Sequence, residues 1–257
     1  MSTAPPYSQP CWGYAKVVTK RVSLLAEELL FFYFFLAFMY MSHYHEYMIN
    51  FIKTQQRLYE ELRDAKLSID PKLANHPRAC AELIETFVQQ HLYECIPSKI
   101  TFYEKSTTAK ALADVSCYDK EGFYYAFDVK THNVKKWGMP NLVSYKKLDH
   151  FYQTPTNVFV VIIINYTVDD EGNIIPSPAL NIGPIESIPW KYLAVQGTLG
   201  QVQIINANHY GMSPVSNRPE WIEEFYEQVN IGIRKKIVLL EKELERFTIS
   251  RNWPIEA

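Results

Sequence analysis

Residues 111–130, ALADVSCYDKEGFYYAFDVK, form the most specific structural pattern in this chain. Its loop, DKEG at 119–122, has aspartate at the first turn position and glycine at the fourth. That pattern is typical of a type I turn that closes a three-residue hairpin loop with a β-bulge. The stretch therefore predicts two antiparallel strands, 111–118 and 123–131, joined by this turn.

The turn also fixes which side chains face one another. Asp119 lies opposite Phe123, and counting back along both strands places Asp114 opposite Asp128. Directly opposed residues share a face of the sheet, with Cβ atoms about 5 Å apart. Lys130, two residues beyond Asp128, lies on the same face. Two carboxylates and one amine are thus predicted to converge.

Opposed carboxylates destabilise a hairpin unless something offsets their repulsion. A divalent cation does so, and Mg²⁺ is usually held by one or two carboxylates with waters and phosphate. A lysine beside such a metal suits metal-assisted phosphodiester hydrolysis. The alternative is a solvated hairpin face on which Lys130 only pairs with Asp128. A one-residue shift in the loop would move Asp114 to the other face.

The rest of the chain predicts an α/β fold, a central mixed β-sheet flanked by helices. The strongest strand is NVFVVIIINYTV at 157–168, which is apolar enough for a buried central strand. Further strands are predicted at 100–104 and in short segments up to about residue 206. Helices are predicted over 77–93, 141–151 and 219–247. We expect one domain over 1–257, with a helical N-terminal region at 1–75 and a core at 76–257.

The N-terminal region contains the most apolar segment. Residues 19–63 contain no proline or glycine, which predicts one long helix, or two helices broken near Ser42. Within it, LLFFYFFLAFMYM at 29–41 has 13 residues, fewer than the about 20 that span a membrane. We expect a helix buried in the core or in an oligomer interface, and no membrane association.

Composition excludes several classes of protein. The chain is 47% hydrophobic and 21% charged with a net charge of −2, so it is not globally disordered. It has 9 glycines, which disfavours a glycine-built nucleotide cradle, so no nucleotide cofactor is expected. Its 4 cysteines form no CxxC pair and no basic leader is present, which favours reduced thiols and a cytoplasmic protein.

An acid, a hairpin and then Asp-x-Lys, as at residues 114–130, resembles the PD-(D/E)xK nuclease motif, although Ala113 replaces the proline. The string DVKTHN…PNLVSYKKL (128–148) and the helix start RPEWIEEFY (218–226) are similar to type II restriction endonucleases of the HincII/EcoRV branch. QVQ at 201–203 is similar more weakly. The resemblance covers about 80–150 and 190–247, and residues 1–75 match nothing familiar.

The resemblance implies roles for single residues. Asp114 and Asp128, with the Val129 carbonyl, would bind Mg²⁺, and Lys130 would position or activate water. Such enzymes also carry a glutamate on an upstream helix, preceded by an apolar residue and followed by apolar residues at set positions. Glu85 fits that pattern and Glu82 does not, so Glu85 is the expected additional acid. The alternative for Glu85 is an ordinary carboxylate at a helix edge.

Candidate DNA contacts follow the hairpin. Between residues 129 and 148 there are five lysines and no acid, a segment that can neutralise phosphates. Asparagine and glutamine pair well with adenine, and the resemblance implies DNA-contacting segments near Asn141 and near 196–201. The alternative is an ordinary solvated loop and turn. The candidates are Lys135, Lys136, Asn141, Gln196, Thr198 and Gln201.

Together these features predict a Mg²⁺-dependent double-strand DNA endonuclease of the type II restriction class. Cleavage of a short palindrome calls for a homodimer, and residues 29–41 are one candidate for its interface. The resemblance implies blunt ends with 5′-phosphates. A repair or nicking nuclease with the same catalytic core is one alternative. The other is a helical interaction protein in which the Asp/Lys hairpin is only a salt-bridged face.

Overall fold

A computed structural model describes most of the chain between residues 51 and 251. The described residues are 51–73, 76–96, 100–106, 112–136, 140–206, 209–213 and 217–251. The predicted helix over 19–63 lies outside them as far as residue 50, as does the apolar segment 29–41. Residues 51–64 are helical, which agrees with the end of that prediction.

The elements of the described residues alternate between helix and strand. The helices are α1 (described over 51–64), α2 (Pro77–Cys95), α3 (Tyr145–Phe151) and α4 (Arg218–Arg251). The strands are β1 (Ile100–Lys105), β2 (Val115–Asp119), β3 (Tyr124–Asn133), β4 (Asn141–Ser144), β5 (Asn157–Val168), β6 (Ile174–Pro176), β7 (Asn181–Pro184), β8 (Leu193–Gln196) and β9 (Gln201–Ile204). Short 3-10 helices connect some of them, and α4 is longer than predicted at both ends.

The main sheet is mixed, as predicted. Its strand order is β1-β2-β3-β5-β6, and β7 also pairs with β5. The pair β3–β5 is parallel, and the other pairs are antiparallel. Strand β5 has the predicted bounds, and its residues 158–166 are all buried. This continuous burial explains why its sequence is an apolar run rather than an alternation.

The hairpin register is confirmed. Tyr118 pairs with Tyr124 and Val115 with Phe127, the register that the turn predicts. Gly122 has φ 87°, a left-handed conformation that favours glycine. The predicted strand 111–118 begins too early, however, because regular pairing starts only at Val115. The Asp114 N–H also donates to the Phe127 carbonyl at 2.8 Å, so two successive residues face one partner, as in a β-bulge.

The predicted helix over 141–151 is wrong in its first four residues. Residues 141–144 form β4, and α3 begins only at Tyr145. Strand β4 joins a second, three-stranded sheet of order β4-β9-β8, in which Asn141 pairs with Gln203. Burial of Leu142 and Val143 in the adjoining core accompanies this pairing. Tertiary packing has overridden local helix preference here.

Helix α4 is held against this second sheet by close glycine packing. Trp221 and Phe225 of α4 are buried in the core that the two sheets share. A Cβ atom added at Gly197 would lie 2.0 Å from the carbonyl oxygen of Gly232, so only glycine fits this crossing. Within the described residues, we find no helix both long enough and apolar enough to span a membrane.

Candidate active site

Asp128 lies in the middle of β3. One oxygen of its carboxylate has a hydrogen-bond partner, and the other has none in the described part of the chain. The residue is only 6% exposed. Its Oδ1 accepts a hydrogen bond from Lys130 Nζ at 2.8 Å. Alternate residues of a strand share a face, which is why these two side chains meet. Asp128 Oδ2 is buried and has no hydrogen-bond partner among the described residues.

Asp114 reaches the same part of β3 from the bulge. Its Oδ2 accepts a hydrogen bond from the Val129 N–H at 2.7 Å. The predicted pairing of Asp114 with Asp128 is therefore replaced by a side-chain bond to the next residue along β3. The structure nevertheless brings Asp114, Asp128 and Lys130 together. The bulge ends the regular ladder and leaves the Asp114 side chain free to turn toward β3.

Helix α2 carries Glu85 toward this group. The helix packs on β3, and Cys80, Ile84 and Val88 form its buried stripe. Glu85 follows Ile84 at the edge of that stripe and is half-buried. Glu82, by contrast, is exposed and pairs with Arg78 at 2.8 Å.

Burial and mutual repulsion perturb these acids. Burial raises the pKa of Asp128 to about 7, Lys130 opposes the rise, and Asp114 and Glu85 add to it. Burial likewise raises the pKa of Glu85 above its usual range, with a further contribution from Asp114. Buried carboxylates that interact in this way often mark functional sites.

Lys130 behaves differently because it is the cation of the group. Its side chain is 23% exposed, so it is held by protein but reachable from solvent. Burial alone lowers the pKa of Lys130, but Asp128, with smaller contributions from Asp114 and Glu85, raises it above its ordinary value. Lys130 therefore carries its charge at neutral pH. One ammonium faces three carboxylates, so the group has a net negative charge when all the acids are ionised.

This donor set fits a hard cation such as Mg²⁺. Across the described parts of the chain, no three His, Cys, Asp or Glu side chains form a ready metal cage. A closed Zn²⁺ site of nitrogen and sulfur ligands is not what these residues offer. Mg²⁺ requires fewer protein ligands, because it keeps several waters and commonly binds one or two carboxylates. The buried, unpaired Oδ2 of Asp128 is the oxygen that such an ion would satisfy.

The candidate phosphate contacts follow the end of β3. Lys135 and Lys136 are in the turn that follows β3, Lys135 exposed and Lys136 half-buried. The Lys135 N–H donates to Asn133 Oδ1 at 3.0 Å, which shapes that turn. Lys135 follows Lys130 by five residues, of which the first three lie in β3.

The other predicted DNA contacts converge in the second sheet. Asn141 pairs with Gln203, and Gln196 pairs with Gln201. Paired residues share a face, and this face is opposite the buried Val202 and Ile204. We call Asn141, Gln196, Gln201 and Gln203 the amide face.

Gln203 was missing from the sequence candidates. The alternation in QVQ at 201–203 was the available signal, because alternate strand residues share a face. Thr198 lies in the β8–β9 turn at the end of this sheet and is exposed. Gln201 Oε1 is buried without a hydrogen-bond partner in the described chain.

Comparison with known proteins finds similarity among solved structures. No protein family model matches the chain, and no curated protein matches it. Among solved structures, it is similar to an NlaIV restriction endonuclease with a TM-score of 0.40 and 14% identity. The match covers 60% of this chain and 65% of that one, so the chain spans about two thirds of that structure's length. We therefore infer function from the side chains themselves.

Proposed function

We propose that this chain is a Mg²⁺-dependent double-strand DNA endonuclease of the type II restriction class. The single observation that carries the proposal is the Asp128–Lys130 pair, whose carboxylate retains one buried, unsatisfied oxygen beside Asp114. A purely structural ion pair gains nothing from leaving a buried oxygen unpaired, because that costs about 1–3 kcal/mol. A site that receives a cation needs such an oxygen.

Asp114 and Asp128, with the Val129 carbonyl, would hold the ion. When bound, Mg²⁺ would lower the pKa of a water and neutralise charge that develops on the phosphate. The protein's part is to keep both carboxylates in place. The Val129 N–H holds Asp114 and the Lys130 ammonium holds Asp128.

Lys130 would orient the attacking water and stabilise negative charge on the phosphate. Attack in line with the leaving group forms a bond from the water oxygen to phosphorus and breaks the bond from phosphorus to O3′. The O3′ atom leaves as a hydroxyl after it takes a proton, so the products are a 5′-phosphate and a 3′-hydroxyl. Glu85, half-buried and with a pKa raised above its usual range, would be the additional acid, either as a ligand of a second cation or as support for the first.

DNA binding would use two surfaces. Lys135 and Lys136 would contact phosphates, which position the duplex without reading its sequence. Asn141, Gln196, Thr198 and Gln201 would contact base edges, where amide side chains pair well with adenine. A β-ribbon can enter the major groove, and the β8–β9 hairpin is the part of the second sheet that would do so.

The finer features of the proposal come from the motif resemblance and from symmetry. A palindromic site calls for a two-fold dimer. The HincII/EcoRV-like motifs favour blunt ends. A cytoplasmic location agrees with free, buried thiols at Cys80, Cys95 and Cys117.

Digestion of several plasmids of known sequence tests the class of nuclease. We expect discrete linear fragments that require Mg²⁺, and sequencing of their ends gives the site and the stagger. Nicked circles or a smear would instead indicate a repair or nicking nuclease with the same catalytic core. Intact plasmid across many sequences, from folded protein, would favour the helical interaction protein.

A further inference from the structure

The C-terminal half of α4 carries apolar side chains that the described protein does not cover. Residues 237–248 are all exposed, although the first half of the same helix buries Trp221 and Phe225. Leu244 is 69% and Phe247 is 67% exposed. A helical segment as short as residues 237–248 is marginally stable in water by itself. Packing of an apolar face normally supplies the missing stability. A partner that covers this half of α4 would supply that packing.

Apart from Val238 and Leu239, which are also exposed, five apolar residues at 233–247 follow the spacing of a coiled coil. They recur after four, three, four and three residues, an average of 3.5, which places them in one stripe along the helix. We call this stripe the α4 seam. Its members are Ile233, Ile237, Leu240, Leu244 and Phe247.

Charged residues flank the seam in two blocks. Arg234 and Lys236 lie beside its first half, and Glu241 and Glu243 beside its second half. Three of these residues are exposed, and Lys236 is half-buried. They occupy the e and g positions of the heptads, which set partner choice and orientation in coiled coils.

A second copy of α4 complements this pattern when it runs antiparallel. Arg234 then faces Glu241 of the second copy, and Lys236 faces Glu243 of the second copy. Each contact occurs twice by symmetry, so all four flanking pairs are of opposite sign. In a parallel pair, only Lys236 and Glu241 would meet. Charge complementarity therefore selects an antiparallel partner.

The apolar layers agree with the same register. In an antiparallel coiled coil each a position faces a d position of the partner. Ile237 then packs against Leu240 of the second copy, and Ile233 against Leu244 of the second copy. The register that pairs opposite charges is thus the register that aligns the apolar side chains.

We propose that the α4 seam is the interface between two copies of this chain, packed as antiparallel helices. The inference extends the proposed function, which calls for two copies, but its grounds lie in α4 alone. It predicts a dimer whether or not the chain cleaves DNA. The failure of one proposal is therefore distinguishable from the failure of the other.

Sedimentation velocity on the full chain tests the interface. We expect the wild type to sediment as a species with twice the 30.0 kDa mass of one chain. The double substitution Leu240→Glu with Leu244→Glu places unpaired charges in the seam and should raise the dimer dissociation constant at least ~100-fold. Leu239→Glu is the matched control, because Leu239 is 54% exposed on the opposite side of the helix.

Two charge exchanges test the orientation at constant net charge. Lys236→Glu with Glu243→Lys preserves the antiparallel pairs and should keep the dimer. Lys236→Glu with Glu241→Lys preserves only the parallel pair, opposes like charges in the antiparallel arrangement, and should weaken the dimer at least ~10-fold. The reverse result would overturn the antiparallel arrangement.

A monomeric wild type overturns the proposal and leaves another occupant, such as an apolar segment of the same chain, to cover the seam. A dimer that survives the double glutamate substitution also overturns it, because its interface then lies elsewhere. The thermal unfolding transition of each variant shows whether the sheets remain folded. If a variant loses this transition, the single substitution Leu244→Gln takes its place. Its dimer dissociation constant is then compared with that of the wild type.

Discussion

At the scale of single residues, Asp128 combines two properties that conflict in a merely structural side chain. Its carboxylate is buried deeply enough to favour the protonated form, and it is bonded to an ammonium that favours the ionised form. The residue is therefore poised to change its proton occupancy near neutral pH. A bound cation would shift it to the ionised form.

This state of Asp128 predicts a pH-dependent stability in the metal-free protein. The pKa of Asp128 rises from an ordinary 3.8 to about 7, so between these values the folded protein holds a proton that the unfolded chain releases. Stability should therefore fall as pH rises from 4 to 7, by at most roughly 4 kcal/mol. Urea unfolding in EDTA at pH 5 and pH 8 measures it. Asp128→Asn should flatten the dependence, and an unchanged slope in that variant would contradict the assignment.

Lys130 should matter for turnover far more than other lysines. Lys130→Ala removes the group that orients water and is expected to slow single-turnover cleavage about 10²–10⁴-fold. Lys120→Ala is the matched control, because Lys120 is exposed in the turn of the same hairpin. Equal rates in the two variants would place Lys130 among ordinary salt-bridged residues.

At the scale of elements, local chemistry predicted the hairpin but not its end. Aspartate and glycine at the turn fixed the register, since a turn of this type permits few pairings. The bulge at Asp114 follows from a backbone bond to Phe127 and a side-chain bond to Val129, contacts that no local pattern encodes. The same reason explains β4, which is a strand only because β9 lies beside it.

The crossing of α4 over β8–β9 predicts a sharp response to one methyl group. Gly197→Ala would place a Cβ atom 2.0 Å from the Gly232 carbonyl oxygen. We expect a loss of about 1–3 kcal/mol in the free energy of unfolding, measured in urea. Gly211→Ala is the control, because its Cβ would lie 3.9 Å from the nearest side chain. Similar stability in the two variants would mean that α4 does not cross here.

At the scale of the whole molecule, the acids, the amide face and the α4 seam lie on different elements. Sequence patterns located the acids because their spacing follows strand and turn geometry. They located most of the amide face only as separate segments, since the pairing of Asn141 with Gln203 depends on a second sheet. The seam could be read as a heptad, but its exposure could not, because exposure depends on where the core ends.

Dimerisation through the seam should determine whether both strands are cut together. The Leu240→Glu and Leu244→Glu double variant keeps every residue of the active site. At protein concentrations where the wild type is dimeric, we expect this variant to accumulate nicked circles before linear plasmid. Gel analysis of a time course measures the two products, with Leu239→Glu as control. Concerted double-strand cleavage by the double variant would mean that the seam is not needed for cutting both strands together.

Loss of supercoiled plasmid, measured for wild type and Asp128→Asn with Mg²⁺ and with EDTA, shows whether Asp128 holds a catalytic ion. Asp128→Asn keeps the size of the side chain and removes the charge that would hold the ion. We predict cleavage only by the wild type and only with Mg²⁺. Cleavage by folded Asp128→Asn at the wild-type rate, or by the wild type in EDTA, would contradict the assignment of this site.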